Sequence, residues 1–116
     1  MLDEACLFCK IIQGTIKSTR IYENDHVIVI QDIHPKAPIH YLIIPKHHTK
    51  NISTLTDQDQ AYGWAMLTAA QHLGQMSSIT AYNLIINNGT QAGQSIAHLH
   101  MHFLSGRNLY SGGLSL

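Results

Sequence analysis

Histidine alternates with apolar residues in the segment 98–104, where the imidazoles belong to His98, His100 and His102. A β-strand sends successive side chains to opposite faces. This spacing therefore places the three imidazoles on one face and directs three apolar side chains toward a core, those of Leu99, Met101 and Phe103. Because a helix would scatter the same side chains around its circumference, the pattern predicts a strand with a row of imidazoles on one face.

Two kinds of chemistry suit such a row. Alternate histidines on a strand can converge on a zinc ion. A neutral imidazole can also attack an electrophile while its neighbours move protons and bind the anion. An ordinary half-exposed strand would not need imidazoles, because Ser, Thr or Lys would serve equally well and protonated imidazoles repel one another. Upstream, Gly89 and Gly93 indicate a loop whose backbone N–H groups can face a bound anion.

Both cysteines lie in a single Cys6-x-x-Cys9 motif. This spacing is half of a zinc site and needs two further ligands. Two alternatives stay open from the motif alone, namely a pair of idle reduced thiols and a redox pair. The βαβ setting expected for a redox pair is missing from the pattern of elements.

Composition limits the class of protein. The 116 residues suffice for one core, and seven basic residues balance seven acidic ones, so neither nucleic acid nor a membrane is indicated as a partner. Charged residues make up only 12% of the chain, and such a charge-poor surface favours a homodimer that covers part of it. No signal-peptide pattern opens the chain and no apolar run reaches the length of a membrane span, so we expect a cytoplasmic protein.

The remaining segments predict an α+β fold built on an antiparallel sheet. A short amphipathic helix over residues 4–13 ends at Gly14, and one long helix over residues 57–73 ends at Gly74. In the long helix we expect one apolar side made of Ala61, Trp64, Leu67, Ala70 and Leu73. The strands are expected in four further segments: 19–22, 26–31, 41–45 and 82–86.

The sequence from about Cys6 to Leu104 resembles the histidine-triad (HIT) family of nucleotide-binding proteins. The alternating histidines match the signature of that family. Four other blocks of the chain follow in the family's usual order: Phe8 to Ile12, Asp32 to His40, Ile43 to Lys46 and Leu84 to Asn87. The resemblance implies a single HIT domain over residues 1–116 with a flexible tail from about residue 105. It also implies a homodimer in which the sheet continues across the interface.

The resemblance is strongest to the branch that hydrolyses purine nucleoside phosphoramidates, and it implies a role for each site residue. His100 would attack the α-phosphorus and become transiently nucleotidylated. His102 and Ser95 would donate hydrogen bonds to the phosphate or the leaving group, and His40 would relay protons. Asn87 and the backbone of Gly93 and Gln94 would orient the phosphate. His98 completes the catalytic triad unless it binds metal, since a metal ligand cannot also titrate in catalysis.

The resemblance further implies a nucleotide-binding slot. Asp32 would accept hydrogen bonds from both ribose hydroxyls, although an Asp before a proline-rich turn also caps its own backbone. The base would lie among apolar side chains for which plain core packing is the alternative: Leu7, Phe8, Ile11, Ile16, Ile33 and Leu42. The resemblance implies that Cys6 and Cys9 bind metal together with His98 and with His48, which follows the Pro45-Lys46 pair as in metal-binding relatives; His47 is the alternative to His48.

These expectations combine into one function and two alternatives. The chain is predicted to cleave purine nucleoside 5′-phosphoramidates to the nucleoside monophosphate, with structural zinc and no organic cofactor. The alternatives are a dinucleoside polyphosphate hydrolase or nucleotidyl transferase, and a nucleotide-binding or partner-binding module without catalysis. Two departures from the family concern Lys17, where a proline is usual, and the segment after residue 105, which lacks the usual Trp-Pro-Pro-Gly-like sequence.

Overall fold

The computed structural model describes residues 2–112 and has the predicted α+β fold. Within this range one antiparallel sheet has the strand order β1-β2-β3-β5-β4. Its strands are β1 (Arg20–Glu23), β2 (Val27–Gln31), β3 (Ile39–Pro45), β4 (Asn83–Ile85) and β5 (Met101–Ser105). The helices are α1 (Leu7–Gln13) and α2 (Gln60–Met76), and 3₁₀ turns occupy Ile52–Thr54, Asp57–Asp59, Thr90–Ala92 and Leu109–Gly112.

The central strands are buried on both faces, which explains their continuous apolar sequences. From one face of β2 and β3, Val27, Val29 and Ile43 pack against α2 in a cluster that also contains Leu99, Met101 and Phe103. From the other face, Ile28, Ile30, Leu42 and Ile44 pack against Phe8 and Ile11 of α1. The short helix α1 thus covers the sheet face that carries the histidines.

The predicted histidine strand forms only in its second half. Leu99, Met101 and Phe103 all enter the core as expected, but β5 begins at Met101 rather than at His98. The reason lies in the neighbouring strand, because the register between β3 and β5 ends at the pair of Ile43 and Met101. Before that point the N–H of Leu99 donates to the carbonyl oxygen of Thr49, outside the sheet.

The predicted end of α1 is correct, but the helix begins at Leu7 and not at residue 4. Gly14 stops the helix in a left-handed conformation with φ of 84°, and its N–H donates to the carbonyl oxygen of Ile11. The helix begins at Leu7 because the Cys6 Sγ caps it, accepting from the N–H of Cys9 at 3.4 Å. The first cysteine therefore ties the helix start to the second one.

Two predictions for the long helix are wrong. Gly74 lies inside α2 instead of ending it. A glycine is needed at this position because a Cβ would come within 3.0 Å of the Ile79 carbonyl oxygen. Trp64 and Leu67 are exposed to 68% and 51%, not buried. The face that packs on the sheet is mostly small residues, which let the helix approach closely, and comprises Ala65, Met66, Ala69, Ala70, Leu73 and Gly74.

No helix within residues 2–112 is long and apolar enough to cross a membrane. Of the predicted flexible tail, Ser105 ends β5 and Leu109–Gly112 forms a 3₁₀ turn. The Ser105 hydroxyl also donates to the carbonyl oxygen of Ala81 at 2.7 Å. The prediction for the last four residues lies outside the described part of the chain.

Candidate active site

A cavity of about 420 Å³ opens between α1, the sheet and the loop that precedes β5. This volume suits a small organic ligand. Its apolar wall contains every residue expected to hold a base, together with two that were not expected: Leu7, Phe8, Ile11, Ile16, Ile30, Ile33, Leu42 and Ile96. Its polar wall contains Asp32, Asn87, Gly93, Ser95, His100 and His102, and in addition Lys17, Ser18, Gln31 and His34.

His100 lies in the cavity wall with one ring nitrogen held by the backbone. Its Nδ1 is 2.7 Å from the carbonyl oxygen of His98. Because a carbonyl oxygen only accepts, Nδ1 carries the proton, and in the neutral ring Nε2 keeps its lone pair. This tautomer is the one that a nucleophilic imidazole needs, and the ring itself is buried, so that few orientations are open to it.

His40 and His102 form a pair whose proton positions follow from the backbone. The N–H of Lys36 donates to His40 Nδ1 at 3.0 Å, so the proton of a neutral His40 sits on Nε2. His40 Nε2 lies 2.8 Å from His102 Nδ1, which must then accept and leave the His102 proton on Nε2. His102, unlike His40, lines the cavity, so it is the member of the pair that can donate to a bound anion.

Burial keeps both rings of this pair neutral near pH 7. The pKa of His102 falls to about 4 because the ring is removed from water and faces His100 and His40. Burial also lowers the pKa of His40, and the neighbouring Asp32 carboxylate opposes this effect only in part. Both imidazoles can therefore act as hydrogen-bond donors without carrying charge.

The Asp32 carboxylate caps the local turn and also lines the cavity. Its Oδ1 accepts from the N–H of His34 at 2.8 Å, which is the local capping role considered as an alternative. Its Oδ2 lies 3.3 Å from His40 Nε2. The carboxylate thus touches the histidine pair and also lines the cavity where a ribose is expected.

In the glycine-containing loop, the backbone N–H groups that were expected to face a bound anion are used in hydrogen bonds within the loop. The N–H groups of Gly93 and Gln94 donate within the loop, to the carbonyl oxygens of Thr90 and Gly89. The Gln94 side chain is buried and also used internally, since its Nε2 donates to the carbonyl oxygens of Lys50 and Ile96. In this structure Gln94 does not line the cavity, whereas Gly93, Ser95 and Asn87 do.

A second group of side chains lies behind the cavity and could hold a metal ion. It consists of Cys6, Cys9, His48 and His98, whose candidate ligand atoms all lie within 4.8 Å of one another. His98 Nδ1 is 3.3 Å from Cys6 Sγ, 3.5 Å from Cys9 Sγ and 3.2 Å from His48 Nδ1. A tetrahedral zinc site with ordinary Zn–S and Zn–N bonds has ligand-to-ligand edges of about 3.3 to 3.8 Å, so the arrangement fits.

The surroundings of His98 also suit a metal ligand. Its Nε2 lies 2.9 Å from the Pro45 carbonyl oxygen and must donate to it, which leaves the lone pair on Nδ1, facing the thiols. The ring is fully buried and does not line the cavity, and burial lowers its pKa to about 4. The structure thus places His98 with the cysteines and apart from the cavity-lining histidines.

The other members of the Cys6/Cys9/His48/His98 cluster also contact one another. Cys9 Sγ is 3.3 Å from His48 Nδ1, and the two cysteines are not joined by a disulfide. Burial raises the pKa of the Cys9 thiol, so a cation is what would favour the thiolate there. His47, the alternative ligand, turns away toward the Asp59 carboxylate at 3.6 Å and stacks on Tyr62. The cluster contains His48 and not His47.

Sequence reasoning missed four polar residues of the cavity wall, Lys17, Ser18, Gln31 and His34. Gln31 and His34 flank the Asp32-Ile33 pair, so proximity in the chain was an available signal for them. Lys17 and Ser18 follow the expected base-slot residue Ile16. These residue types do not by themselves indicate a role, because exposed polar residues near a turn are common.

Comparison with known proteins agrees with the predicted family and fold. The protein-family model for the HIT domain matches residues 13–109 of this chain. The chain therefore belongs to the histidine-triad family. It is 39% identical over 102 residues to Protein hit of Bacillus subtilis, covering 87% of this chain and 70% of that protein.

Solved structures give the same result. A HIT family hydrolase from Clostridium thermocellum superposes with a TM-score of 0.88 at 40% identity, covering 92% of this chain and 95% of that one. A histidine triad nucleotide-binding protein from Candida albicans superposes with a TM-score of 0.76 at 35% identity, covering 84% of this chain and 72% of that one. The predicted family and fold are confirmed.

Proposed function

We propose that the protein is a hydrolase that cleaves purine nucleoside 5′-phosphoramidates to the nucleoside monophosphate through a nucleotidyl-His100 intermediate. The observation that carries this proposal is the bond from His100 Nδ1 to the His98 carbonyl oxygen, which leaves Nε2 as the nucleophile in the cavity wall. The similarity to a HIT family hydrolase and to a histidine triad nucleotide-binding protein supports the reaction class and the ligand.

The reaction proceeds in two displacements at phosphorus. In the first, His100 Nε2 forms a bond to phosphorus while the bond from phosphorus to the leaving nitrogen breaks, and the electron pair of that bond stays on nitrogen, which takes up one proton. In the second, water attacks phosphorus, releases its proton and frees His100. The net reaction consumes one water and yields an amine and a nucleoside monophosphate.

The neighbouring groups have roles that follow from where their protons lie. His102 Nε2–H and the Ser95 hydroxyl are the donors available to the phosphate oxygens and the leaving nitrogen. Since the His102 proton is fixed on Nε2 before substrate arrives, this donor stabilises the transition state without reorganising. His40 holds the His102 tautomer, Asn87 orients the phosphate, and Asp32 binds the ribose hydroxyls while the apolar wall holds the base.

The experiment compares two substrates on the wild-type protein and on His100→Gly. We expect the wild type to release AMP from adenosine 5′-phosphoramidate faster than it cleaves diadenosine tetraphosphate, and the variant to cleave neither. Faster cleavage of the diadenosine substrate would move the assignment to a polyphosphate hydrolase. AMP binding without turnover on either substrate would contradict the proposal and favour a binding module.

We also propose that the cluster of Cys6, Cys9, His48 and His98 holds structural zinc. The support is the fit of two sulfurs and two nitrogens to tetrahedral edges, with the His98 tautomer already set by Pro45. When bound, the ion would tie α1 to the segment before β5. Metal analysis of protein purified without added zinc should find about one zinc per chain, and a content near zero would reject a tight site.

A homodimer is proposed from one exposed edge and one exposed helix face. β4 is one of the two edge strands of the sheet, and its Leu84 and Ile85 are exposed to 38% and 37%. Trp64 and Leu67 of α2 are exposed as well. Pairing of two copies through β4 would extend the sheet and cover Leu84 and Ile85, and the exposed side chains of α2 offer further apolar surface to a second copy. Light scattering should give twice the chain mass, and Trp64→Glu should shift the mass toward that of one chain.

A further inference from the structure

Phe8 connects the two groups of histidines. It lies between Cys6 and Cys9 in the chain, and its buried ring lines the cavity. The ring packs edge-on against His98 at 5.9 Å between centroids and against His100 at 5.1 Å. One apolar side chain therefore touches a candidate metal ligand, the proposed nucleophile and the space proposed for the base.

His98 provides a second connection through its backbone. Its imidazole Nδ1 belongs to the metal cluster, and its Nε2 is anchored on Pro45. Its carbonyl oxygen accepts the hydrogen bond that sets the tautomer of His100. Any rotation of the His98 segment therefore moves the acceptor on which the nucleophile depends.

Helix α1 has little stability of its own, and it is held by the packing of Phe8 and Ile11 on the sheet and by the contacts of its first turn with the cluster. It contains only seven residues, well below the length at which an isolated helix is stable in water. Its first turn is capped by Cys6 Sγ, and Cys9 lies within that turn. A cation shared by these thiols would fix the start of the helix and, with it, the ring of Phe8.

We propose that Phe8 and His98 are positioning residues through which occupancy of the Cys6/Cys9/His48/His98 cluster sets the orientation of His100 and the affinity for nucleotide. This inference rests on the proposed function and on the proposed zinc site. It makes the metal and the nucleotide thermodynamically linked ligands, although they occupy separate sites. By that linkage, the factor by which zinc strengthens AMP binding must equal the factor by which AMP strengthens zinc binding.

The test measures both factors on the full-length protein. Calorimetry gives the AMP dissociation constant of zinc-loaded and chelator-treated protein, and competition with a chromophoric chelator gives the zinc dissociation constant with and without saturating AMP. We expect zinc to strengthen AMP binding by about 5- to 150-fold, the usual range for coupled sites, with an equal factor in the reverse direction. Equal AMP affinity in the two metal states would overturn the inference.

Two substitutions on α1 test whether Phe8 couples the metal cluster to nucleotide binding. Phe8→Leu keeps an apolar side chain but loses the ring edges, so zinc should still bind stoichiometrically while the coupling factor falls toward one. Lys10→Ala, on the same helix but outside both the cavity wall and the cluster, should keep the wild-type factor. A Phe8→Leu protein with intact zinc and unchanged coupling would remove Phe8 from the connection.

Nuclear magnetic resonance reads the orientation of His100 directly. The Nδ1 proton of His100 is protected by its bond to the His98 carbonyl oxygen, so its signal should be visible in zinc-loaded protein and should broaden after chelation. An unchanged signal would contradict the inference. Failure of the proposed function looks different, because zinc-loaded wild type would then bind no AMP or leave the phosphoramidate intact.

Discussion

Two groups of histidines occupy different places in this molecule, and a different role is proposed for each. His98 and His48 join the cysteines behind the cavity, whereas His100 and His102 line the cavity and face the space proposed for substrate. His98 and His100 are only two residues apart, and both rings are buried. Burial and residue type therefore do not distinguish the proposed metal ligand from the proposed nucleophile.

What distinguishes the two groups is the partner of the second ring nitrogen. The Pro45 carbonyl oxygen accepts a hydrogen bond from Nε2–H of His98, which leaves the lone pair of Nδ1 facing the thiols. The His98 carbonyl oxygen accepts a hydrogen bond from Nδ1–H of His100, which leaves the lone pair on Nε2, the proposed nucleophile. A backbone acceptor thus sets opposite tautomers in two neighbouring imidazoles, and each tautomer suits its own chemistry.

Removing a thiol from the metal cluster should have the largest effect on stability. Cys9→Ser should lose zinc, because a serine hydroxyl is a poor ligand for this ion, and the free energy of zinc binding would then be lost from folding. We expect the thermal midpoint to fall by more than about 10 °C, which corresponds to a loss of about 2 kcal/mol or more. Calorimetric melts together with metal analysis measure this, and a full zinc content with an unchanged midpoint would contradict it.

Removing the residue that holds the His102 tautomer should lower turnover without abolishing it. His40→Ala leaves His102 Nδ1 without its donor, and we expect kcat to fall by about 10²-fold, as for loss of acid-base assistance. His40→Gln restores an N–H donor and should recover part of the loss. Steady-state kinetics on adenosine 5′-phosphoramidate check this, and a kcat for His40→Ala within threefold of wild type would show that the pair is structural.

Acid should destabilise the protein through His102. The pKa of His102 is about 4 in the folded protein, against a usual value of about 6.5 when unfolded. As the pH falls through this window, the unfolded chain binds protons that the folded protein does not. The free energy of unfolding should then fall by up to ~1.4 kcal/mol per pH unit for this histidine.

Urea unfolding at several pH values measures that slope, with His102→Gln as the comparison. The variant lacks the titrating ring, so its free energy of unfolding should depend less steeply on pH between about 6.5 and 4. Identical slopes in the two proteins would mean that the burial of His102 does not govern its protonation.

The smallest effect should come from the histidine next to the metal cluster. His47 contacts Asp59 and Tyr62 and is not a member of the cluster, so His47→Ala should keep about one zinc per chain. His48→Ala should lose tight binding. Metal analysis of the two variants side by side checks this, and loss of zinc from His47→Ala instead would reverse the assignment of the ligand.

Much of this architecture was predictable because it depends on local pattern. The alternation around His100 predicts which residues enter the core, and the spacing of Cys6 and Cys9 predicts half of the metal cluster. Resemblance to the HIT family supplied His48 and His98, which only the fold brings to the cysteines.

The features that could not be predicted depend on tertiary contacts. Helix α2 has two apolar faces, and the sheet packs against the one rich in small residues, which leaves Trp64 exposed. Gly74 is needed because the Ile79 carbonyl oxygen approaches it, which no local rule reveals. The tautomer of His98 depends on the carbonyl oxygen of Pro45, which is 53 residues away in the chain and is brought to the ring only by the fold.

The measurement that tests the central claim most directly is capture of the intermediate. Wild type and His100→Gly are mixed with adenosine 5′-phosphoramidate, quenched within the first turnover under alkaline denaturing conditions that preserve a phosphorus–nitrogen bond, and analysed by intact-mass and peptide mass spectrometry. We predict an added adenylyl group on the wild-type peptide that contains His100, and none on the variant. Turnover of the wild type with no adduct, or an adduct on another residue, would contradict the account of His100 as the nucleophile.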